Sequence, residues 1–417
     1  MNILYLVKHY PCLSQTFVQN EVAALTSRGC AVHVVSAIDL KTAIDLEPVM
    51  ASRVMYLQYG YLYRHGASAD SLTDEDVART ARATLVTDRH PVPHAQRRRL
   101  WNILSALEID SGVRARGFLD ALSVVVLARA CATDHLHCDF AEDNVKLAFI
   151  VSQATGIPFT FKMRAYDIFA EPQRDLATWA AAADRIFTIS RYNRDYICRH
   201  WGVAPEKVVV IHDGVSLEQT RPVASYAHRP FRIVSVSRLV EKKGVPVLLD
   251  ACRLLKSRVA FRCDIFGDGP MLAVLQARVA DLDLDGWVTL HGGRAHADVL
   301  AALESASVFV LACIEAGNGD RDGTPNSLLE AMARGIPVVS TRLSGIPEIV
   351  ETEVAGLLAP PNDARALAEA IVRIADDAEL AESIRREGQR QVATRFTIDR
   401  TVDEFLRWVT PQPVGHG

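Results

Sequence analysis

No cysteine in this sequence is spaced to hold a metal, and no apolar run is long enough to cross a membrane. Its eight cysteines, Cys12, Cys30, Cys131, Cys138, Cys198, Cys252, Cys263 and Cys313, are scattered and include no C-x-x-C pair. That distribution argues against a zinc site or a disulfide framework and for reduced packing residues in a cytoplasmic protein. The most apolar later stretch, Leu122 to Ala130, is broken by Arg129 and falls far below the ~20 residues that span a bilayer. The opening MNILYLVKHYP lacks the basic region, longer apolar core and small-residue cleavage site of a signal peptide, and reads as a first β-strand. An excess of positive charge is missing too: 46 Lys and Arg stand against 50 Asp and Glu. No global basic field exists to hold a phosphate backbone, so nucleic acid is not an expected partner. No G-x-G-x-x-G follows the first strand, which disfavours an NAD enzyme.

What is present is a large apolar fraction, 49%, in 417 residues. Single cores stop growing near ~250–300 residues, so the length predicts two domains. The first half pairs β-branched runs with amphipathic ones. ILYLV, a helix starting near Ser14 or Thr16, the stop at Arg28-Gly29 and AVHVVSA make a βαβ unit. Residues 60–120, rich in Arg, Ala and Leu, read as a helical insert on the sheet edge; strands then return near His135–Phe140, Phe159–Lys162, Arg185–Ile189 and Val208–Ile211. Polar residues from Arg221 to Pro230 suit a linker. The alternation restarts with FRIVSVS, FRCDIFG, WVTLHG, SVFVLA, IPVVST and GLLA, each followed by a helical stretch, the last being Ala364–Ala375. The reading is an α/β chain of two doubly wound, Rossmann-like domains, 1–225 and 226–396, with ligand sites at the carboxyl ends of the strands. A final helical segment, 397–417, either completes the second domain or crosses back to the first.

Two regions of the second domain carry chemistry. Arg238 and Lys243 leave the end of FRIVSVS within one tight connection and suit a diphosphate, although a solvated Arg and Lys would look the same. The stronger signal is Gly319 to Met332. A Gly- and Asp-rich loop there opens into a helix at Pro325 to Ser327, whose first-turn amides form an anion site with Gly323, Thr324, Pro325, Asn326 and Ser327 around it. Asp322 in the loop and Glu330 in the helix are placed to accept hydroxyl groups of one ligand. Asp320-Arg321-Asp322 also reads as a D-x-D metal motif, but the nearby cations and helix terminus make a divalent ion unnecessary. Gly267 lies at another strand end, where a ligand approach and a plain turn explain it equally.

Over most of its length the chain resembles the retaining GT-B glycosyltransferases of family 4, particularly members that assemble bacterial polysaccharides. The resemblance is carried by Pro11-Cys-Leu-Ser-Gln-Thr-Phe-Val-Gln-Asn-Glu21, His137-Cys-Asp-Phe-Ala141, Gly156-Ile-Pro158, Ala165-Tyr-Asp-Ile-Phe169, Val236-Ser-Arg-Leu-Val-Glu-Lys-Lys-Gly244, Phe266-Gly-Asp-Gly-Pro270 and Asp322-x7-Glu330. It implies two domains facing across a cleft, with the nucleotide-sugar donor on the C-terminal one. Arg238 and Lys243 would bind the donor diphosphate, Glu330 the ribose and Asp322 the transferred hexose. The implied reaction is metal-independent and needs no cofactor. It retains anomeric configuration, the leaving diphosphate helping to deprotonate the acceptor on the same face, so that stabilising the departing charge is the main catalytic task. The donor would be a UDP- or GDP-sugar and the acceptor a saccharide or lipid-linked saccharide.

Three positions depart from the family pattern: Arg164 stands where a His is usual, Ser237 where a Gly precedes the donor-binding Arg, and Asp213-Gly-Val-Ser216 where Asn-Gly-Val-Asp is usual. A permanently charged guanidinium is no general base. Arg164 is read either as a contact to an anionic group, counted with Asp322, Arg238 and Lys243 among the catalytic residues, or as a salt-bridge partner of Asp167 or another carboxylate. Ser14, Thr16 and His137 are placed on the acceptor side, with helix capping and a core histidine as the alternatives. Arg97-Arg-Arg99 before Leu100-Trp101 fits peripheral contact with an anionic membrane face or an ordinary solvated helix. Two competing functions stay open: transfer to a small natural-product acceptor, and a non-catalytic sugar-nucleotide binding protein.

Overall fold

A computed structural model describes residues 1–10, 16–38, 54–57, 92–106, 111–170, 175–218, 220, 222–223 and 230–410. Ser14, the rest of the 11–15 motif, residues 60–91 of the helical insert, most of the 221–230 linker and the tail beyond 410 lie outside the described residues. The chain divides into two compact units: Met1–Thr188 with Tyr196–Val210 and Val402–Gly417, and Ile189–Asp195 with Ile211–Thr401.

The first unit is built on a seven-stranded parallel sheet. Its strands are β1 (Asn2–His9), β2 (Ala31–Ile38), β3 (Val54–Tyr56), β4 (His135–Asp139), β5 (Phe159–Met163), β6 (Arg185–Thr188) and β7 (Val208–Val210). They lie in the order β3-β2-β1-β4-β5-β6-β7. Its helices are α1 (Thr16–Ser27), α2 (His94–Ala106), α3 (Ser111–Ala130), α4 (Asp143–Thr155), α5 (Tyr166–Phe169), α6 (Leu176–Ala182) and, from Tyr196 onward, α7 (Arg191–Trp201). All five residues of β4 and all five of β5 are buried, as a parallel sheet covered on both faces requires. The apolar run noticed in sequence forms the second half of α3, where Leu122, Val124, Val125 and Ala128 are buried. Among the described residues no helix is long and apolar enough to cross a membrane.

The second unit has six parallel strands: β8 (Phe231–Val236), β9 (Phe261–Phe266), β10 (Val288–Gly292), β11 (Val308–Leu311), β12 (Val338–Thr341) and β13 (Leu357–Ala359). The order is β10-β9-β8-β11-β12-β13, so the winding reverses between β8 and β11. The helices are α8 (Val245–Leu255), α9 (Leu272–Asp281), α10 (His296–Glu304), α11 (Asn326–Ala333), α12 (Ile346–Ile349), α13 (Ala364–Asp376) and α14 (Ala378–Arg395); a last helix, α15 (Ile398–Val409), belongs to this unit up to Thr401 and to the first from Val402. Two buried apolar clusters line this sheet, one including Leu248, Leu249, Leu367 and Ile371, the other Leu328, Leu329, Met332 and Val392. The order is that of a dinucleotide-binding fold, in which ligands sit outside the carboxyl ends of the strands at the reversal.

Candidate active site

The chain emerging from β8 and the chain emerging from β11 meet at this reversal. After β8, Ser237 and the exposed Arg238 lead into a tight 3-10 turn, Glu241–Lys243, that ends at Gly244. Gly244 has φ +62°, and a Cβ there would lie 1.8 Å from the carbonyl oxygen of Ala312. Only glycine lets the turn settle against the end of β11. Each turn residue then grips the loop beyond β11. Glu241 Oε1 accepts the Gly317 N–H at 3.1 Å, Lys242 Nζ reaches Asp320 Oδ1 at 3.0 Å, and Lys243 Nζ reaches Asp322 Oδ2 at 2.6 Å.

Asp322 has two further neighbours. Lys242 Nζ stands 3.6 Å from Oδ1, and the Cys313 thiol donates to Oδ2 at 3.2 Å. Burial alone would raise the Asp322 pKa, but the two lysines and the two hydrogen bonds outweigh it and hold the carboxyl at about 2. Burial likewise acts to depress Lys243, and Asp322 more than reverses this, so its ammonium is held above the ordinary lysine value. The two residues expected to take different parts of one ligand are thus paired with each other. Lys242 and Cys313 escaped the sequence reading, and the D-x-D carboxylates Asp320 and Asp322 both face lysines.

Helix α11 begins just beyond, with Pro325 in extended conformation at its N-cap and no side-chain cap. Its first-turn amides therefore have no side-chain acceptor. At this start Thr324 Oγ1 and Asn326 Oδ1 are buried without a hydrogen-bond partner, as are Ser344 Oγ and Ser237 Oγ elsewhere in the unit. Unpaired buried polar atoms are costly, and two of them at a bare helix start suit a polar ligand. Gly323 and Pro325 are buried and Ser327 half-buried in the same segment. Glu330 lies in the second turn of α11; burial raises its pKa, offset in part by Arg334. Gly267 is accounted for without a ligand: at φ +139° a Cβ would meet the Ser237 carbonyl oxygen at 1.7 Å.

In the first unit the reversal falls between β1 and β4; Lys8 and Glu142 form a partly exposed pair there at 2.9 Å, and four further charges are sealed. Arg164 follows β5; its Nε donates to Asp139 Oδ1 at 2.8 Å, and its guanidinium carbon lies 3.9 Å from the Phe17 ring centroid. Lys162 Nζ donates to Glu21 Oε2 at 2.5 Å. Asp167 is no side-chain partner of Arg164; it accepts backbone N–H groups of Ala141, Arg164 and Ala165, and burial pushes its pKa up to about 6. His137 does not line an acceptor surface. It is fully buried among Tyr5, Phe187 and Phe405, its Nδ1 shares a hydrogen bond with Thr160 Oγ1 at 2.8 Å, and burial, with Lys162 and other nearby cations, keeps it neutral. Thr16 opens α1 and is exposed. On α2, Arg98, Arg99 and Trp101 are exposed, with the Trp101 ring edge-on to Phe118.

Comparison with known proteins places this architecture. Residues 14–219 match the family description Glycosyltransferase Family 4, and residues 218–391 match Glycosyl transferases group 1. The chain belongs to glycosyltransferase family 4. Over 209 residues this family 4 chain is 38% identical to the amylovoran biosynthesis glycosyltransferase AmsK of Erwinia amylovora, a match spanning 50% of this chain and 51% of AmsK. It therefore covers about half the length of that relative. WcaL of Salmonella typhimurium, named as a candidate colanic acid biosynthesis glycosyltransferase, is 28% identical over 98% of this chain and 100% of its own. Among solved structures, Anabaena HepE in complex with UDP-glucose aligns with a TM-score of 0.69 at 18% identity, covering 98% of this chain and 99% of HepE. Sucrose-phosphate synthase from Thermosynechococcus elongatus aligns with a TM-score of 0.70 at 18% identity, covering 98% of both chains. At these identities the structural likeness speaks for the fold, which is GT-B.

Proposed function

We propose that this family 4 member transfers a hexose from a nucleoside-diphosphate sugar, UDP- or GDP-linked, to a saccharide or lipid-linked saccharide during polysaccharide assembly. The observation that carries the reading is the partly exposed ion pair Lys243–Asp322 just before the bare start of α11. A diphosphate brought to that helix start meets amide donors, Lys243 and Arg238, and the vacated Asp322 carboxylate becomes an acceptor for sugar hydroxyls. Glu330, in the second turn of α11, is assigned the ribose. Names such as amylovoran biosynthesis glycosyltransferase support a polysaccharide acceptor.

The reaction proposed retains the anomeric configuration. As the bond from the anomeric carbon to the diphosphate oxygen lengthens, negative charge builds on the diphosphate, and Arg238, Lys243 and the α11 amides stabilise it. The diphosphate takes the acceptor's proton on the same face while the acceptor oxygen bonds to that carbon. Metal independence belongs to the same proposal: both D-x-D carboxylates are engaged by lysines, and positive charge at the phosphate position comes from the chain itself. Calorimetry with UDP, GDP, ADP and TDP in the presence of chelator tests this. One nucleotide should bind, and Glu330→Ala should weaken it about tenfold or more, the loss expected for a hydrogen bond to a charged group. No binding by any of them, or full affinity in Glu330→Ala, would defeat the assignment.

A further inference from the structure

The proposed donor site leaves one buried cation without a task. Lys242 is 4% exposed; its ammonium lies 3.0 Å from Asp320 and 3.6 Å from Asp322, and its backbone carbonyl accepts the Ile314 N–H at 2.9 Å. We infer that Lys242 is a positioning residue that keeps the Asp322 carboxylate charged and aimed after a donor diphosphate has drawn Lys243 away. This rests on the reading of the site as the donor site.

Asp322 begins with three neighbours: Lys243 at 2.6 Å, Cys313 at 3.2 Å and Lys242 at 3.6 Å. The two lysines are not equally free to leave. The Lys243 side chain is 13% exposed and ends beside Arg238, the other cation assigned to phosphate. The Lys242 side chain is 5% exposed, tied to Asp320 at its tip and to the start of the loop at its backbone. A diphosphate arriving at α11 therefore recruits Lys243 and leaves Lys242 behind. With neither lysine, Asp322 would be a buried carboxylate facing only a weak thiol donor, and burial would drive it to take a proton. A protonated carboxyl donates from one oxygen and no longer accepts two sugar hydroxyls. Lys242 thus lets phosphate and sugar be recognised together, each by its own charge.

The test compares wild type, Lys242→Met, Lys242→Arg and Asp320→Asn by calorimetry. UDP and GDP are titrated first, then UDP-glucose, UDP-galactose, GDP-mannose and GDP-fucose, between pH 5 and 8. Lys242→Met should hold nucleoside-diphosphate affinity within about twofold and weaken the preferred sugar nucleotide about tenfold or more, a charge-assisted hydrogen bond's worth. The defect should be worse at pH 5 than at pH 8, because the carboxylate recovers as its proton leaves. Lys242→Arg should restore sugar binding, and Asp320→Asn, which loosens the loop and keeps the ammonium beside Asp322, should retain it. Equal losses for nucleotide and sugar nucleotide, no loss at all, or an Asp320→Asn variant as defective as Lys242→Met would overturn the inference while leaving the donor site standing. Wild-type protein that binds neither UDP nor GDP would overturn the donor site and the inference together.

Discussion

The two units use the same strand order around their reversals and bury charge at both, yet they bury it differently. In the first, Glu21, Asp139, Lys162 and Arg164 have side chains 0–5% exposed, with Phe17 packed on the Arg164 guanidinium. In the second, the side chains of Lys243, Asp320 and Asp322 are 11–14% exposed, Arg238 is exposed, and Thr324 and Asn326 leave buried side-chain oxygens unpaired at a bare helix start. Four sealed charges of balanced sign form a tie between α1, β4 and β5. Charges that are paired but reachable form a site, because a ligand can take the place of a partner. Burial sufficient to strengthen an ion pair and exposure sufficient to break it separate the two.

The largest expected effect breaks the sealed cluster. Lys162→Met keeps the length of the side chain and leaves Glu21 facing the Arg164 guanidinium at 3.9 Å. Removing one partner of a buried pair costs about 3–5 kcal/mol, so denaturant unfolding of the first unit should shift accordingly. Lys243→Met should destabilise far less and abolish tight nucleotide binding, which Lys162→Met should preserve at temperatures where it is folded. The same ranking for both variants in both measurements would erase the distinction drawn between the two clusters. Arg164 falls on the structural side of it: Asp139 occupies its Nε, and the placement of the side chain does not favour the catalytic role read from sequence.

A second, smaller effect follows pH in the open cluster. Asp322 has a folded pKa of about 2 against an ordinary value of 3.8. A carboxyl depressed by folding adds stability that is fully present above pH 3.8 and is lost as pH falls toward 2. The difference corresponds to about 2 kcal/mol. In thermal melts, the stability gap between wild type and Asp322→Asn should therefore be constant above pH 4 and close between pH 4 and 2. A gap unchanged down to pH 2 would mean that the lysines do not hold this carboxylate.

Much of this was legible from the chain alone because parallel strands buried on both faces are apolar runs: FRIVSVS, SVFVLA and IPVVST map onto β8, β11 and β12 within a residue or two. Two elements were not. Strand β3 is three residues at a sheet edge, too short to show alternation. Helix α14 turns a sparse inner face, Ala381, Ile384, Gly388, Gln391 and Val392, to the core and reads as polar sequence. In the candidate site, Asp322 and Glu330 stand out by type and spacing, whereas Arg238 and Lys243 are a weak pattern until the family resemblance gives them a role. Lys242 does not stand out, since nothing in Lys-Lys-Gly says which ammonium is tied to a carboxylate 78 positions away. From sequence His137 stays open between an acceptor-side and a core histidine for the complementary reason: a polar residue in a buried strand looks functional until Thr160 on the next strand supplies its partner.

The smallest effect concerns Cys313, which touches the open cluster without carrying its charge. Its thiol sits beside Asp322 and Lys243; burial and the Asp322 charge push its pKa well above the ordinary thiol value, so it stays an S–H donor. Cys313→Ala removes one weak hydrogen bond and a small apolar volume, a loss of about 1 kcal/mol, while Lys243 and Lys242 still hold the carboxylate. Nucleotide affinity should change less than about twofold, and Cys313→Ser, with a better donor at the same place, should match or exceed wild type in melting temperature. A protonated, buried thiol should also resist iodoacetamide at pH 8 until the unit unfolds. Rapid alkylation that abolishes nucleotide binding would show instead that the cluster opens far enough to expose its floor, and exchange of partners at Asp322 would then involve the whole loop rather than one lysine.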